Sequence, residues 1–310
     1  MQSFRACNFN FFKFTTQFLH LSEYIYNSGL PGLGKGKVYR QKGHGRIIGD
    51  ILYGLDSVFN ALLRKKRKVY KAYIKNEISN SKNIKIKNIL ILLQNTLIEY
   101  VPRQRLNELS CNRPHQGIVL DVSPVKFVSL QISDLFLPNK AEIWLYLYNI
   151  KDPMNLGAIL RSSFYFGIGK VIVSENSCPL TNVVSKASAG ALEVMDIYQV
   201  HDSYKFLKML KELGWQIITT QAFKKNNHKS TLVTNNLTCL QKKPSLIIFG
   251  NESEGIPDLI TNYSDVPLTI SPDKYSCNDL QLVESLNVSV SLGIILHQIV
   301  NHYNNTIRQT

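Results

Sequence analysis

Apolar residues fall at three- and four-residue spacing from position 55 onward. Leu55, Val58, Phe59, Leu62 and Leu63 share one face, which predicts a helix in YGLDSVFNALL. The helix runs out in the cations Arg64, Lys65, Lys66, Arg67 and Lys68, and VYKAYI behind them reads as a strand. KNILILL continues the alternation of basic and apolar elements, and VPRQRLNELS reads as another short helix. These pieces predict a small α/β domain over residues 47–120.

Residues 121–140 read as a connection with a weak strand. The pattern then changes. EIWLYLYNI (142–150) is a strongly apolar strand with a helix opening at 153–155, and KVIVS (170–174) is the next strand. A small-residue segment, VVSKASAGALEVMDIYQV, runs into another apolar stretch. SYKFLKMLKELG is an amphipathic helix with Phe206, Leu207, Leu210 and Leu213 on one face, and Gly214 is its natural stop. WQIITTQA, SLIIFG (245–250) and VPLTI (266–270) are strands, and SLNVSVSLGIILHQIVNHY is a long final helix. Strands that alternate with helices mean an α/β domain over 141–310, its mainly parallel sheet buried on both faces.

Composition narrows the partners. The net charge of +14 is confined to one half: residues 1–140 hold 22 Lys and Arg against 8 Asp and Glu, and residues 141–310 hold 14 of each. A basic surface kept for solubility, or a lysine-rich genome, would give the same count. Clustering in one half points to nucleic acid, because phosphate binding releases condensed counterions. The run Arg64–Lys68 is either a solvated helix end that complements the helix dipole or a phosphate contact, and its place in the basic half favours RNA or DNA. Five scattered cysteines without a C-x-x-C pair argue against a disulfide scaffold and a structural zinc. No apolar run reaches the ~18–20 residues of a membrane span. Residues 1–30 hold Arg5 and Lys13 but no acid before Glu23, and are rich in Phe, Asn, Ser and Thr. That is the pattern of an organelle transit peptide, with a disordered extension as the alternative. The Gly-rich basic stretch at 29–46 reads as a linker.

Three segments of the neutral half carry candidate chemistry, each where an apolar element ends. In NIKDPMNLGAILRSS, Asp152 and Asn155 are helix-start residues, and Pro153 suits a first turn. Gly157 and Ala158 let a neighbour approach closely. Arg161 shares a cleft with Asn155 if Asn155 sits in the preceding loop; otherwise it is an exposed arginine on a capped helix. In LIIFGNESEGIP a buried strand runs into Gly250, Asn251, Glu252, Glu254 and Gly255, which is either a ligand-reading turn or a plain polar one. It is neither a P-loop nor G-x-G-x-x-G. In VESLNVSVSLGIILHQIV, Ser285 can cap a helix, and Asn287, a poor helix former, falls in its first turn.

Order and combination make these specific. Asn-x-Gly-x-x-x-Arg, then strand-Gly-Asn-Glu-x-x-Gly, then Ser-Leu-Asn-Val-Ser-Val, resembles the three motifs of the SpoU (TrmH) family of RNA ribose 2′-O-methyltransferases, within the SPOUT superfamily. The resemblance covers roughly residues 140–303. It extends to YGLDSVFNALL and RPHQGIVL, which are similar to the first and last segments of the family's small L30e-like substrate-binding domain. NSCPLTNVVSKASAGALEVMDI is similar to the mitochondrial rRNA methyltransferase branch.

The resemblance implies a parallel-sheet domain with a deep trefoil knot, S-adenosylmethionine as cofactor, and a homodimer with the active site near its interface. It implies that Gly250, Ile270 and Leu286 hold the cofactor, largely through backbone groups. Asn155, Arg161, Glu252, Ser285 and Asn287 match the positions for catalysis and substrate placement, with Asn155 orienting Arg161. No metal is implied. The expected reaction is 2′-O-methylation of large-subunit rRNA, at a guanosine, in the mitochondrial matrix. The alternatives are a tRNA methyltransferase of the same fold and a non-catalytic RNA-binding ribosome-assembly factor. One departure stands out: ISPDKYSCNDLQLVE (270–284) is longer than the family's usual connection, which makes Ile270 the least secure cofactor position.

Overall fold

A computed structural model describes residues 46–78, 81–135, 142–222, 232–233, 240, 243–271 and 285–308. The expected transit peptide and linker, and most of the long connection at 271–284, lie outside the described residues. The described residues belong to one compact unit, Gly45–Thr310.

The basic lobe runs β1 (Asp50–Tyr53), α1 (Leu55–Arg64), β2 (Val69–Lys75), α2 (Ile84–Leu92), β3 (Ile98–Val101), α3 (Arg103–Leu109) and β4 (Ile118–Val122). The sheet order is β1-β4-β2-β3; β4 lies antiparallel to β1 and β2, and β3 runs parallel to β2. Leu55, Val58 and Leu62 of the predicted helix meet Ile86 and Ile89 of α2 and Leu52, Ile74 and Leu120 of the sheet. The opposite face packs Tyr53, Tyr73 and Val119 against Leu106 and Leu109 of α3.

The second lobe continues with β5 (Val128–Ser129), β6 (Ile143–Leu147), α4 (Pro153–Tyr165), β7 (Lys170–Ser174), α5 (Asn182–Ala187), β8 (Ile197–Val200), α6 (Ser203–Glu212), β9 (Gln216–Gln221), β10 (Leu232–Val233), β11 (Ser245–Phe249), α7 (Asp258–Thr261), β12 (Val266–Thr269) and α8 (Val288–Arg308). The sheet order is β10-β12-β9-β11-β6-β7-β8-β5, and every pairing is parallel. Leu145 and Leu147 of β6 face the layer of α4 and α8, with Leu156, Ile159, Leu292 and Leu296. Trp144 and Tyr146 face the layer of α6 and α7, with Phe206, Leu207, Leu210 and Ile260. Burial on both faces is why these strands read as continuous apolar runs. Gly214 follows α6 at φ +78°, the predicted stop.

The expected connection at 121–140 is redrawn. Asp121 and Val122 complete β4, a central strand, and Val128–Ser129 pairs with β8 at the edge of the other sheet. Only residues 123–127 connect the lobes among the described ones. A buried strand carrying one aspartate, and an edge strand of two residues, show no period for the sequence to display. Asp121 holds the chain entering β1, because its carboxylate accepts the backbone N–H groups of Ile48 and Gly49, each at 2.8 Å.

Gly157 explains how α4 seats on α5. A Cβ there would lie 2.4 Å from Ala187 Cβ and 2.9 Å from the Val184 carbonyl oxygen. Gly157→Ala is therefore expected to cost about 1–3 kcal/mol by overpacking, read as a lowered melting temperature.

The lobes meet at a polar seam. Arg67 Nε and Nη2 fork onto Glu193 Oε2 and Oε1 at 2.8 and 2.9 Å, with both side chains sealed from solvent. Ser185 Oγ donates to Glu193 Oε1 at 2.7 Å, Arg67 Nη1 donates to the Ser123 carbonyl at 3.3 Å, and Ser57 Oγ donates to the Ser185 carbonyl at 3.0 Å. Arg67 is thereby removed from the expected RNA contacts, because its guanidinium is consumed by a buried carboxylate. Lys66 pairs with Asp196 at 2.7 Å but keeps some exposure. Arg64, Lys65 and Lys68 stand exposed.

Candidate active site

Along the second sheet the chain runs outward from β6 through β7 to β8, then returns to place β11 on the other side of β6. Ligands in open α/β sheets bind beyond the carboxyl ends of strands at such a switch point. The loops after β6 and β11 meet there. Tyr148 N–H donates to the Phe249 carbonyl at 2.8 Å, which carries the pairing past the strands. Asn149 sits at φ +53° and is held by Ser174, whose hydroxyl accepts its backbone N–H and donates to its Oδ1, both at 2.8 Å.

Asn251 shapes the second loop. Its Nδ2 donates to the Asn149 carbonyl at 2.7 Å, and its Oδ1 accepts from Ser253 N and Glu254 N at 2.9 and 3.0 Å. Its backbone exchanges two hydrogen bonds with Gly255, each 3.0 Å. Within this closed turn a Cβ on Gly250 would lie 2.3 Å from the Gly255 carbonyl carbon. The glycine is required by the turn itself. Sequence reasoning assigns Asn251 no role of its own; the available signal is an Asx-turn residue between a buried strand and a second glycine.

Asp152 caps α4, its Oδ1 accepting from Met154 N at 2.8 Å, with Pro153 in the first turn as predicted. Glu252 reaches the same helix start. Its Oε1 accepts from Asn155 Nδ2 at 3.1 Å and lies 3.4 Å from Asp152 N, while Oε2 lies 3.4 Å from Lys151 N. A carboxylate at a helix N-terminus is favoured by the backbone dipoles. Asn155 Oδ1 in turn accepts from Asn287 Nδ2 at 3.0 Å. Asn287 Oδ1 accepts from Ser289 N at 2.8 Å and Ser289 Oγ at 2.6 Å. One residue from each of the three sequence segments thus joins a single hydrogen-bonded chain, Glu252–Asn155–Asn287, across 97 and 132 residues of sequence.

Two expectations change. Asn287, not Ser285, caps α8, because the helix opens at Val288; Ser285 is exposed ahead of it. Asn155 lies inside α4 rather than in the loop before it. Six residues at the helical repeat put Arg161 about 120° around the axis from Asn155. Arg161 instead shares a face with Met154 and Tyr165, which are 57% and 75% exposed. It is exposed, and among the described residues no hydrogen bond or ion pair holds its guanidinium.

Of the expected cofactor positions, Gly250 and Ile270 stand at the carboxyl ends of β11 and β12, and Leu286 precedes the Asn287 cap. Ile270 is half-buried against the core, and Leu286 is 48% exposed. Aliphatic surface beside backbone groups that have left their strands fits a purine and a sulfonium side chain. Among the described residues no cluster of His, Cys, Asp or Glu could hold a metal, and no helix is long and apolar enough to cross a membrane.

Cys178 reports on the site's field. Burial first, and then the charges of Glu252 and Asp152, push its thiol up to about 11. At pH 8 it is expected to resist alkylation while the exposed Cys111 reacts, a difference read by mass spectrometry after iodoacetamide treatment.

The model of the SpoU rRNA Methylase family matches residues 142–297, and the one described as RNA 2′-O ribose methyltransferase substrate binding matches residues 51–128. The chain is 30% identical to "rRNA methyltransferase 1, mitochondrial" of Schizosaccharomyces pombe over 81% of its own length and 90% of that protein. It is 37% identical to the human protein of that name over 64% of its own length, and the match spans 57% of the human chain. The SpoU methyltransferase AviRb of Streptomyces viridochromogenes, solved in complex with AdoMet, superposes with a TM-score of 0.62 at 14% identity, covering 82% of this chain and 90% of its own. With the three motifs drawn into one hydrogen-bonded chain at the switch point of a parallel sheet, the protein belongs to the SpoU rRNA methylase family.

Proposed function

We propose that the protein transfers a methyl group from S-adenosylmethionine to a ribose 2′-hydroxyl of mitochondrial large-subunit rRNA, at a guanosine. The observation that carries this reading is the Glu252–Asn155–Asn287 chain at the carboxyl ends of the strands. The naming of the relatives as mitochondrial rRNA methyltransferases supports the substrate and the compartment, with the matrix as the place of action. The basic lobe grips RNA by phosphate through Arg64, Lys65, Lys66 and Lys68, while the neutral lobe does chemistry. In this reading the C-terminal part of the lobe is threaded as a trefoil knot.

S-adenosylmethionine supplies the electrophilic methyl group when bound. Gly250, Ile270 and Leu286 would hold it, and the hydrogen-bonded chain keeps the segments that carry Gly250 and Leu286 at fixed separation. The ribose oxygen must lose a proton and lie in line at near-attack distance. Arg161 holds the phosphate beside the target ribose by a charge-assisted fork. A guanidinium with a pKa above ~12 is a poor base, so its role is placement. The exposed apolar face of Met154 and Tyr165, with Val290 and Ile294 of the neighbouring α8, fits a second copy of the chain. A homodimer closed there puts Arg161 at the junction of two protomers.

The test is transfer of labelled methyl from S-adenosylmethionine to large-subunit rRNA, with 2′-O-methyl sites mapped. Label at one ribose is expected. Arg161→Ala is expected to lower turnover by about 10- to 100-fold, and Arg161→Lys should not restore the fork. Label on tRNA instead would move the substrate and keep the mechanism. RNA binding without label on either would leave an assembly factor.

A further inference from the structure

Three neighbouring strands of the second sheet, β7, β6 and β11, end side by side. A polar residue stands at or just beyond each end. Ser174 closes β7, Asn149 lies two residues beyond β6, and Asn251 lies two residues beyond β11.

The three form a relay. Ser174 is buried, and its hydroxyl has one proton to give. That proton goes to Asn149 Oδ1, while Ser174 Oγ accepts the Asn149 backbone N–H, both at 2.8 Å. Ser177 Oγ lies 3.2 Å from the same oxygen and is left as the donor there. Gripped by its side chain and its backbone together, Asn149 keeps φ +53°, a left-handed conformation that residues other than glycine rarely adopt. The conformation sets where its carbonyl points, and that carbonyl accepts Asn251 Nδ2 at 2.7 Å. Asn251 then builds the turn that carries Gly250 and Glu252, through Ser253 N, Glu254 N and Gly255.

Two more bonds tie the same segments. Cys178 N–H donates to the Ile150 carbonyl at 2.8 Å, and Lys151 Nζ donates to the Asn176 carbonyl. Residues 174–178 therefore hold residues 149–151 one after another. Residues 151 and 152 are those whose N–H groups face Glu252. None of residues 174–178 lies in the three segments that carry the motifs.

We propose that Ser174 is a positioning residue for the cofactor, acting through Asn149 and Asn251 on the turn of Gly250 and Glu252. The inference rests on the methyl-transfer reading above and adds a fourth segment to its machinery. A strained residue held at a site by its surroundings is the device that fixes one loop conformation before the ligand arrives. Without the hydroxyl, only part of the population keeps the competent turn, and apparent affinity falls by that fraction.

The experiment uses the full chain, S-adenosylmethionine and a large-subunit rRNA transcript. Ser174→Ala is expected to raise Kd and KM for S-adenosylmethionine roughly 5- to 30-fold, the scale of left-handed strain in a residue with a side chain. KM for RNA should hold, and kcat should fall much less, because saturating cofactor selects the competent turn. In the cofactor-free protein, amide hydrogen exchange at Ser253, Glu254 and Gly255 should quicken. The decisive comparison is at 149. Asn149→Gly and Asn149→Ala both remove the side-chain bond to Ser174, but only glycine takes positive φ freely. Asn149→Gly should therefore bind S-adenosylmethionine roughly 5- to 30-fold more tightly than Asn149→Ala, and should restore affinity when added to Ser174→Ala. If Ser174→Ala does not fold, the two variants at 149 decide. A Ser174→Ala protein with a lowered melting temperature but unmoved Kd and KM overturns the proposal, as do equal affinities for glycine and alanine at 149. Wild-type methyl transfer in that case leaves the enzymatic reading standing. Cofactor binding that shifts as expected in the variants, without methyl transfer to RNA by the wild type, would do the reverse. A wild type that binds no S-adenosylmethionine would remove both.

Discussion

Asn155→Ala should lower kcat/KM for methyl transfer roughly 10²- to 10³-fold, the scale of a misplaced reacting centre. Asn155 is the middle of the Glu252–Asn155–Asn287 chain, with its amide nitrogen on one partner and its amide oxygen on the other. Truncation leaves both partners without it and frees the loop after β11 from the start of α8. Because Asn155 is buried, the same change should cost about 1–3 kcal/mol of stability. Asn155→Asp perturbs the same chain with less loss of shape. It sets a second carboxylate against Glu252, and like charges at that distance raise one of the two pKa values. Its stability relative to wild type should therefore recover as pH falls and the pair takes up a proton. Methyl-transfer kinetics and thermal melts between pH 5 and 8 check both. Full activity in Asn155→Ala would mean that the loops keep their places without it.

Glu193→Ala is expected to be the most destabilising single truncation at the seam, by about 3–5 kcal/mol. It strands the Arg67 guanidinium in a site where that side chain is 1% exposed and removes the acceptor of Ser185 Oγ. Arg67→Ala should cost a similar amount by stranding Glu193. The double variant Arg67→Met with Glu193→Leu should recover much of the loss, since a buried pair and an apolar pair of like volume are often near equal. Denaturant unfolding of the two single variants and the double one measures this. Strict additivity of the single costs would show that the pair is not coupled. A further expectation concerns RNA: with the seam broken, binding through Arg64, Lys65, Lys66 and Lys68 should remain while methylation at the mapped ribose falls, because grip and chemistry no longer share one frame.

The two sets of residues differ in how legible they are in the sequence. Motif order singles out Glu252, Asn155 and Asn287, and they are the residues that touch. It does not give their pairing: the resemblance has Asn155 orienting Arg161, and a regular helix carries the two apart. Arg67 groups with its neighbours in the sequence because five cations in a row read as one surface. The chain turns at Lys65, which adopts φ +54°, and the run is divided between solvent and seam.

The sequence by itself determined what depends on near neighbours along the chain. Continuous apolar strands such as SLIIF specify a doubly covered parallel sheet, Asp152 and Pro153 open a helix where capping demands it, and the charge asymmetry separates a basic lobe from a neutral one. Periodicity, caps and turn chemistry act over a few residues, so they survive as pattern. The tertiary structure alone decided which polar side chains meet. The contacts that make the site span 97 and 132 residues, and the ion pair that locks the lobes spans 126. A charged or amide side chain is neutral to local pattern, and its role is set by the partner that burial brings within about 3 Å, where desolvation turns a weak surface contact into one that is costly to break.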